Sequence, residues 1–382
     1  MIRLLCLLIC LVPLPSLAEG LRIGFLGLQD DVRYTQDWGY ARVVAPPATD
    51  TSEAARMAMA DLAIVTDALG ISVTLDIRRV SAETLLQTAE TMMAAGTHLI
   101  VLDLPAPQIA PLAEAVGNRA LLVNATAPED TLRHACFANL VHSGPSLRMQ
   151  ADTMTQYLRF MNWPRALILE GEHPDDVLWA DAFAASAARM GLKIAARRTF
   201  TLDRNPARRQ ENNIRLLTGD ARYDVVFVAD TRGEFGRYIP YATQDPRPVI
   251  GSVGLRPTAW HWALERDGAT QVSSRFDRTY GRKMTAADWN VWIGVKALIL
   301  GAAKSGVTEA TSLRSYLVSD RFRLDGSKGA PLNFRDWSGQ LRMPLALATA
   351  EAVIAVAPLD GFEHQVNTLD TLGSDQPEFR CQ

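Results

Sequence analysis

Ser143-Gly144-Pro145 is followed by a helical stretch over 146–161, the strand-like run Arg165-Ala166-Leu167-Ile168-Leu169-Glu170, a second helical stretch over 176–190 and a strand over 193–200. The same alternation has already run once before this point. Leu21-Arg22-Ile23-Gly24-Phe25-Leu26-Gly27 reads as a strand, and an Ala/Met-rich helix over 52–69 stops at Gly70. Strands at 71–77, 99–102 and 120–124 then alternate with helices at 81–95 and 107–116. Short β-branched or Leu-rich runs separated by segments of helical period predict βαβ units and parallel sheets. Two such series, broken near residue 143, predict an α/β protein of two doubly wound αβα lobes.

The second series continues through a helix over 206–217 and strands at 224–229 and 248–253. Read contiguously, the lobes are 19–142 and 143–252. Beyond them lie helices over 271–280, 286–304 and 311–319 and strand-like stretches at 332–334, 339–345 and 350–356. Those helices must cover one lobe or the other.

The chain has 382 residues, enough for about two domains at roughly 100–200 residues each. Its 39 Lys+Arg and 42 Asp+Glu leave a net charge of −3, with no block of either sign. That distribution argues against a nucleic-acid partner. Residues 1–18 differ from everything after them: Arg3 is followed by the apolar run 4–14 and by Pro15-Ser16-Leu17-Ala18, the pattern of a cleaved secretory signal. An exported chain is expected. Cys6 and Cys10 leave with the signal, so Cys136 and Cys381 remain as a disulfide pair or as two buried free thiols. A bridge would tie down the acidic tail 358–382, for which the sequence offers no other anchor.

Gly144-Pro145-Ser146, the helix containing Gln150, Trp163-Pro164-Arg165-Ala166-Leu167-Ile168-Leu169 and the stretch ending Gly191-Leu192-Lys193-Ile194 resemble leucine/isoleucine/valine-type periplasmic binding proteins. Phe276-Asp277-Arg278-Thr279-Tyr280-Gly281, ahead of Trp289-Asn290, is similar to the same type I family. The resemblance implies two αβα lobes joined by three crossover strands. It divides the chain into lobe 1 (19–142 plus 254–330) and lobe 2 (143–253 plus 331–357), which replaces the contiguous division. It further implies a periplasmic, non-enzymatic and monomeric protein that delivers a small solute or metal ion to an ABC transporter permease in the inner membrane. Trp260-His261-Trp262, Asp288-Trp289, Trp337-Ser338-Gly339-Gln340-Leu341-Arg342 and Leu369-Asp370-Thr371-Leu372-Gly373 resemble one subgroup, which accompanies pyrroloquinoline-quinone-dependent alcohol dehydrogenase systems and is tied to lanthanide uptake.

Ligands of open α/β sheets bind beyond the carboxyl ends of the strands. That rule selects Asp103, Asn124, Thr126, Glu172, Asp175, Trp179, Asp230 and Glu234, with Asp30 and Asp31 after the first strand. Asp103, Glu172, Asp175 and Asp230 are the expected oxygen donors to a lanthanide or calcium ion, because converging carboxylates repel one another unless a cation neutralises them. Asn124 and Thr126 are expected to hydrogen-bond the ligand from lobe 1, Trp179 to act as a lid and 143–145 as a hinge. Asp103 would repel a ligand carboxylate and Pro105 has no N–H to offer it, which disfavours an amino acid. A solvated turn over 172–176, with Asp175 as helix cap, is the competing reading of those acids.

The alternative ligand is a small organic solute, an amino acid or a metabolite of alcohol oxidation, stacked on Trp179, Trp260, Trp262, Trp289 or Trp292. Trp289 and Trp292, at i and i+3, also fit the buried stripe of a helix. A sensor that docks a membrane receptor, or an accessory factor of an exported dehydrogenase, remains open beside transport. No nucleophile elbow, phosphate loop or His-Glu-x-x-His pattern occurs. No cofactor is required by this reading.

Overall fold

The computed structural model describes residues 20–35, 38–40, 43–45, 50–201, 212–233 and 235–380. The expected leader, Glu234 and Cys381 lie outside them. In the first lobe β1 (Leu21–Leu28) leads through a short helix α1 (Val32–Thr35) and a hairpin, β2 (Trp38–Tyr40) and β3 (Val43–Ala45), to α2 (Ser52–Ala68). Then follow β4 (Val73–Val80), α3 (Leu85–Ala94), β5 (Leu99–Asp103), α4 (Ala106–Val116), β6 (Leu121–Asn124), α5 (Asp130–His134) and β7 (Leu140–His142). The strands form one parallel sheet in the order β4-β1-β5-β6-β7.

The second lobe comprises α6 (Leu147–Phe160), β8 (Arg165–Glu170), α7 (Pro174–Arg189), β9 (Lys193–Thr199), α8 (Ile214–Leu217), β10 (Val225–Ala229) and β11 (Val249–Gly251). Its sheet is also parallel, in the order β11-β10-β8-β9. After β12 (Arg256–Thr258) come α9 (Ala269–Tyr280), α10 (Ala286–Ser305) and α11 (Ala310–Leu317). The chain closes with β13 (Leu324–Asp325), β14 (Pro331–Phe334), β15 (Leu341–Arg342), β16 (Leu345–Ala348) and β17 (Val353–Ala357).

Both central sheets are covered on two faces, which is why their strands read as continuous apolar runs. Phe25, Val101 and Val123 share one core with Trp289, Trp292 and Leu298, while Leu26, Ile100 and Leu102 face the opposite core beside Ile109 and Leu112. In the second lobe Ile168 and Phe227 pack on Trp179 and Phe183, and Leu167 and Val228 on Phe200 and Ile239. Phe276, Trp289 and Leu313 lie in the core of Phe25, so the helices after residue 254 return to the first sheet; the contiguous division of the chain is wrong for that reason. Leu347 and Ala355 join the second lobe's core. No single described helix is long and apolar enough to cross a membrane, and α10 is apolar nearly all round because it is buried nearly all round.

The strand β12 pairs antiparallel with β16, which pairs with β17. The Arg335–Arg342 hairpin reaches the edge of the first sheet, where the His142 N–H donates to the Gly339 carbonyl at 2.8 Å. Tail residues 369–378 are held by side chains that the sequence did not single out. The Asp370 carboxylate accepts from Arg335 Nε at 2.7 Å and from Arg342 Nε at 2.8 Å. The Gly373 N–H donates to Asp152 Oδ2 at 2.8 Å, Arg148 pairs with Glu378, and Phe379 stacks on His134 at 4.4 Å. The expectation that a disulfide alone could anchor the tail is corrected by these contacts. Cys136 is disulfide-bonded.

Candidate functional site

The carboxyl end of β5 places Asp103 at the centre of the first lobe's wall, fully buried. Its carboxylate accepts from Thr51 Oγ1 at 2.6 Å, Tyr34 Oη at 2.7 Å, Thr126 Oγ1 at 2.9 Å and Arg33 Nη2 at 3.0 Å. Arg79 Nη2 lies 3.7 Å away. Arg33 also forks onto Asp31, with Nη2 at 2.6 Å and Nε at 3.0 Å. Burial works against the charge of Arg33, but the bond to Asp31 and the field of Asp103 outweigh it and lift its pKa above the ordinary value. Burial, reinforced by Asp103, likewise raises the Tyr34 hydroxyl, which stays a neutral donor.

Asp103 is therefore an organiser, not an open metal ligand. Four donors fill its acceptor sites, and Arg33, which Asp31 shares, and Arg79 offset part of its charge, which weakens the premise that it repels a ligand carboxylate. Thr126 lines the cleft, with its hydroxyl proton given to Asp103 and its oxygen left to accept.

The cleft is a cavity of about 250 Å³. Arg33, Tyr34 and Thr126 line it from the first lobe, Gln150 from α6, Thr258 from β12 and Asn290 from α10. The first crossover closes its floor. Ser143 Oγ donates to the Asn290 carbonyl at 2.8 Å, and the Gly144 carbonyl accepts from Arg133 Nη2 at 2.9 Å and Gln340 Nε2 at 3.0 Å. A Cβ at Gly144 would stand 2.3 Å from the Ala125 carbonyl oxygen, so the close approach demands glycine. Arg133 is wholly buried, which pushes its pKa down to about 10. It donates to the carbonyls of Ala127 and Glu129 as well, welding the loop after β6 to the crossover.

The remaining expected residues do not gather around one ion. Asn124 is buried: its Nδ2 donates to the Ala127 carbonyl at 2.9 Å and to His142 Nδ1 at 3.0 Å, and its Oδ1 accepts from the Ala127 N–H at 3.0 Å. The amide shapes the loop and is spent there. Glu172 is exposed and accepts from Thr201 Oγ1 at 3.1 Å, while Asp175, in the first turn of α7, is 64% exposed. Both are solvated, as the competing reading had it, but the N-cap of α7 is His173 and Asp175 lies inside its first turn. Asp230 is buried, with Oδ2 accepting from the Phe235 N–H at 2.8 Å and the Gly236 N–H at 2.6 Å, the work of a loop cap. Trp179 is 5% exposed and meets Phe227 edge-on at 5.5 Å, so it is core and not a lid. Among the described residues no group of three or more His, Cys, Asp or Glu side chains is placed to hold a metal ion.

Two polar groups keep unused acceptors: Glu129, which the sequence reading missed, and Asn290, which it quoted beside Trp289 in the segment similar to the type I family. Glu129 Oε2 and Asn290 Oδ1 are buried without a hydrogen-bond partner. Burial raises the Glu129 pKa, with Asp175 of the other lobe adding to the rise and Arg133 and Arg33 opposing it. Glu129 thus lies where both lobes are felt. Carried three residues past Thr126, the strand-end rule reaches Glu129; carried two past Asp31, it reaches Arg33. Thr258 has no such signal, because it enters the cleft on a crossover strand.

No family model matches the chain, and no curated protein matches it. Solved structures do. A branched chain amino acid ABC transporter periplasmic ligand-binding protein from Burkholderia xenovorans LB400 superposes with a TM-score of 0.70 at 13% identity, over 88% of this chain and 95% of its own. An ABC transporter substrate-binding protein from Desulfitobacterium hafniense in complex with Leu gives 0.66 at 17%, over 88% and 99%. A solute binding protein of an ABC transporter from Rhodopseudomonas palustris BisB5, in complex with 3,4-dihydroxy benzoic acid, gives 0.63 at 11%, over 86% and 93%. At such identities the likeness speaks for architecture, and with the two parallel sheets, the crossovers and the cleft between them it assigns this chain the type I periplasmic binding protein fold.

Proposed function

We propose that this chain is the solute-binding component of an ABC transporter, which captures a small organic solute between its lobes and presents it to a membrane permease. The observation that carries the reading is the cleft itself: a largely apolar cavity with a few polar side chains at the carboxyl ends of the first sheet, walled by both lobes and by the crossovers. Arg33 and the Thr126 oxygen offer recognition from one side and Gln150 from the other. Closure about the crossovers needs a solute that prefers the closed form. Neighbours of the same fold are named as binding leucine and 3,4-dihydroxy benzoic acid, which favours the organic-solute alternative over a lanthanide or calcium ion. The commitment of Asp103 and Asp230 to protein donors weighs the same way. An exported, periplasmic location and a catalytically inert role belong to this proposal.

Calorimetric titration with L-leucine, 3,4-dihydroxybenzoate, short alcohols, lanthanum and calcium tests it. A saturable isotherm with an organic solute, lost in Thr126→Val combined with Gln150→Leu, is expected. Saturation by lanthanum with no response to any organic solute would reverse the choice of cargo.

A further inference from the structure

A second cavity, of about 370 Å³, adjoins the cleft at Pro257, Thr258 and Ala286. It opens between the β12–β16 crossover strands and the segment that leads into α10. Its volume falls in the range of small-molecule sites, roughly 300–1,000 Å³. Arg256 and Lys283 both line it and no acidic side chain does. Lys283 pairs outside with Asp277 at 2.6 Å, and Arg256 makes no ion pair among the described residues. The amino end of the 20-residue helix α10 supplies Thr285 and Ala286 to the same wall, its first turn capped by Thr285 and by the Asp288 carboxylate, which accepts from the Thr285 N–H at 2.8 Å.

The remaining wall sets Trp260, His261 and Trp262 beside Met284 and residues 348–350. Trp262, 36% exposed, offers ring surface, with Lys283 Nζ 5.4 Å from its centroid. Trp260 is 2% exposed and stacks on Trp289 at 6.1 Å, yet its indole Nε1, a donor only, is buried with no acceptor. Burial first, and then the charge of Arg256, hold the His261 pKa below the ordinary value, so that ring is neutral at pH 7.

From this geometry we infer that the cavity is a binding site for a single-ring aromatic carboxylate, separate from the interlobe cleft. The ring lies against Trp262, the carboxylate faces Arg256 and Lys283, and an oxygen is available to the Trp260 N–H. Because the wall joins crossover strands to the first lobe, an occupant contacts both parts of the hinge.

Benzoate, benzylamine and cyclohexanecarboxylate, titrated into the full chain by calorimetry and tryptophan fluorescence, separate the components. Benzoate binds saturably at one site; benzylamine does not bind; cyclohexanecarboxylate binds at least fivefold more weakly. Arg256→Met and Trp262→Ala each lower benzoate affinity at least tenfold, whereas Gln150→Leu, in the cleft, leaves it unchanged. Thermal melts check that each variant is folded, and Arg256, being exposed, is the substitution least able to disturb the core. Absence of saturable benzoate binding, equal binding of benzylamine, or a loss in Gln150→Leu as large as that in Arg256→Met overturns the proposal. A loss of benzoate binding in Gln150→Leu would place benzoate in the cleft, whereas a loss confined to Arg256→Met and Trp262→Ala leaves the cleft and its own solute untouched.

Discussion

Arg335 Nε donates to Asp370 Oδ1 at 2.7 Å with both side chains essentially inaccessible, so a buried ion pair joins the tail to the hairpin that abuts the first sheet. Arg335 also donates through Nη2 to the carbonyls of Leu369 and Leu372, and Arg342 shares the same carboxylate. From there the tail continues to Asp152 and Arg148 on α6 and to His134 on α5. One short segment therefore touches both lobes and the hairpin behind their hinge.

Removing one member of such a cluster strands the others. Asp370→Ala leaves two guanidinium groups buried without a counter-charge and should cost about 3–5 kcal/mol of stability. Urea unfolding measures it; a loss below about 1 kcal/mol would mean that the pair is solvated in solution.

Gly144→Ala sets a Cβ against the Ala125 carbonyl and forces the first crossover to shift. We expect a loss of about 1–3 kcal/mol, as for other overpacked sites, with a fall in thermal midpoint. An unchanged midpoint would show that the crossover is slack.

Trp179 distinguishes a lid from a core residue. Trp179→Ala should cost about 3–5 kcal/mol through the cavity left against Phe227. A lid would lose solute affinity with little change in stability, and that pattern would restore the sequence-based expectation.

Glu129 carries a pH signature. Its folded-state pKa is raised, chiefly by burial, so the folded protein holds the proton more tightly than the unfolded chain does. Folding is then favoured below the unfolded carboxylate value, near pH 4, and that advantage is lost as pH rises through the raised folded value. Glu129→Gln should stabilise the protein at pH 7 and leave it nearly unchanged below pH 4, read from denaturation midpoints at the two pH values. A variant less stable at pH 7 would place a partner on the carboxylate.

Asp103→Asn keeps the volume but replaces one acceptor oxygen with a donor, so either Arg33 and Thr126, which share Oδ1, or Tyr34 and Thr51, which share Oδ2, lose their partner. A drop of about 1–3 kcal/mol is expected, with weakened binding of whichever organic solute saturates the cleft. Binding that survives intact would remove the first-lobe wall from the site.

Much of the architecture was readable along the chain. Strands such as β5 and β10, buried on both faces, leave unbroken apolar runs, and the restart after Ser143-Gly144-Pro145 marked the second lobe. The strand-end rule also located Asp103 and Thr126 at the first-lobe wall. It could not tell an open carboxylate from a saturated one. Asp103 is filled by donors from positions 33, 34, 51 and 126, Asp230 by two amides of its own loop, and Trp179 by a phenylalanine 48 positions away.

Local periodicity and the placement of polar residues after strands are properties of neighbouring positions, and they determined the fold class and the edge of the sheet where a solute is met. Which oxygen remains free at that edge, which tryptophan faces water and what fastens the tail were decided only in the folded chain. Hydrogen-bond valence and burial are used up by groups distant in sequence, and their arrival cannot be counted until the lobes have packed.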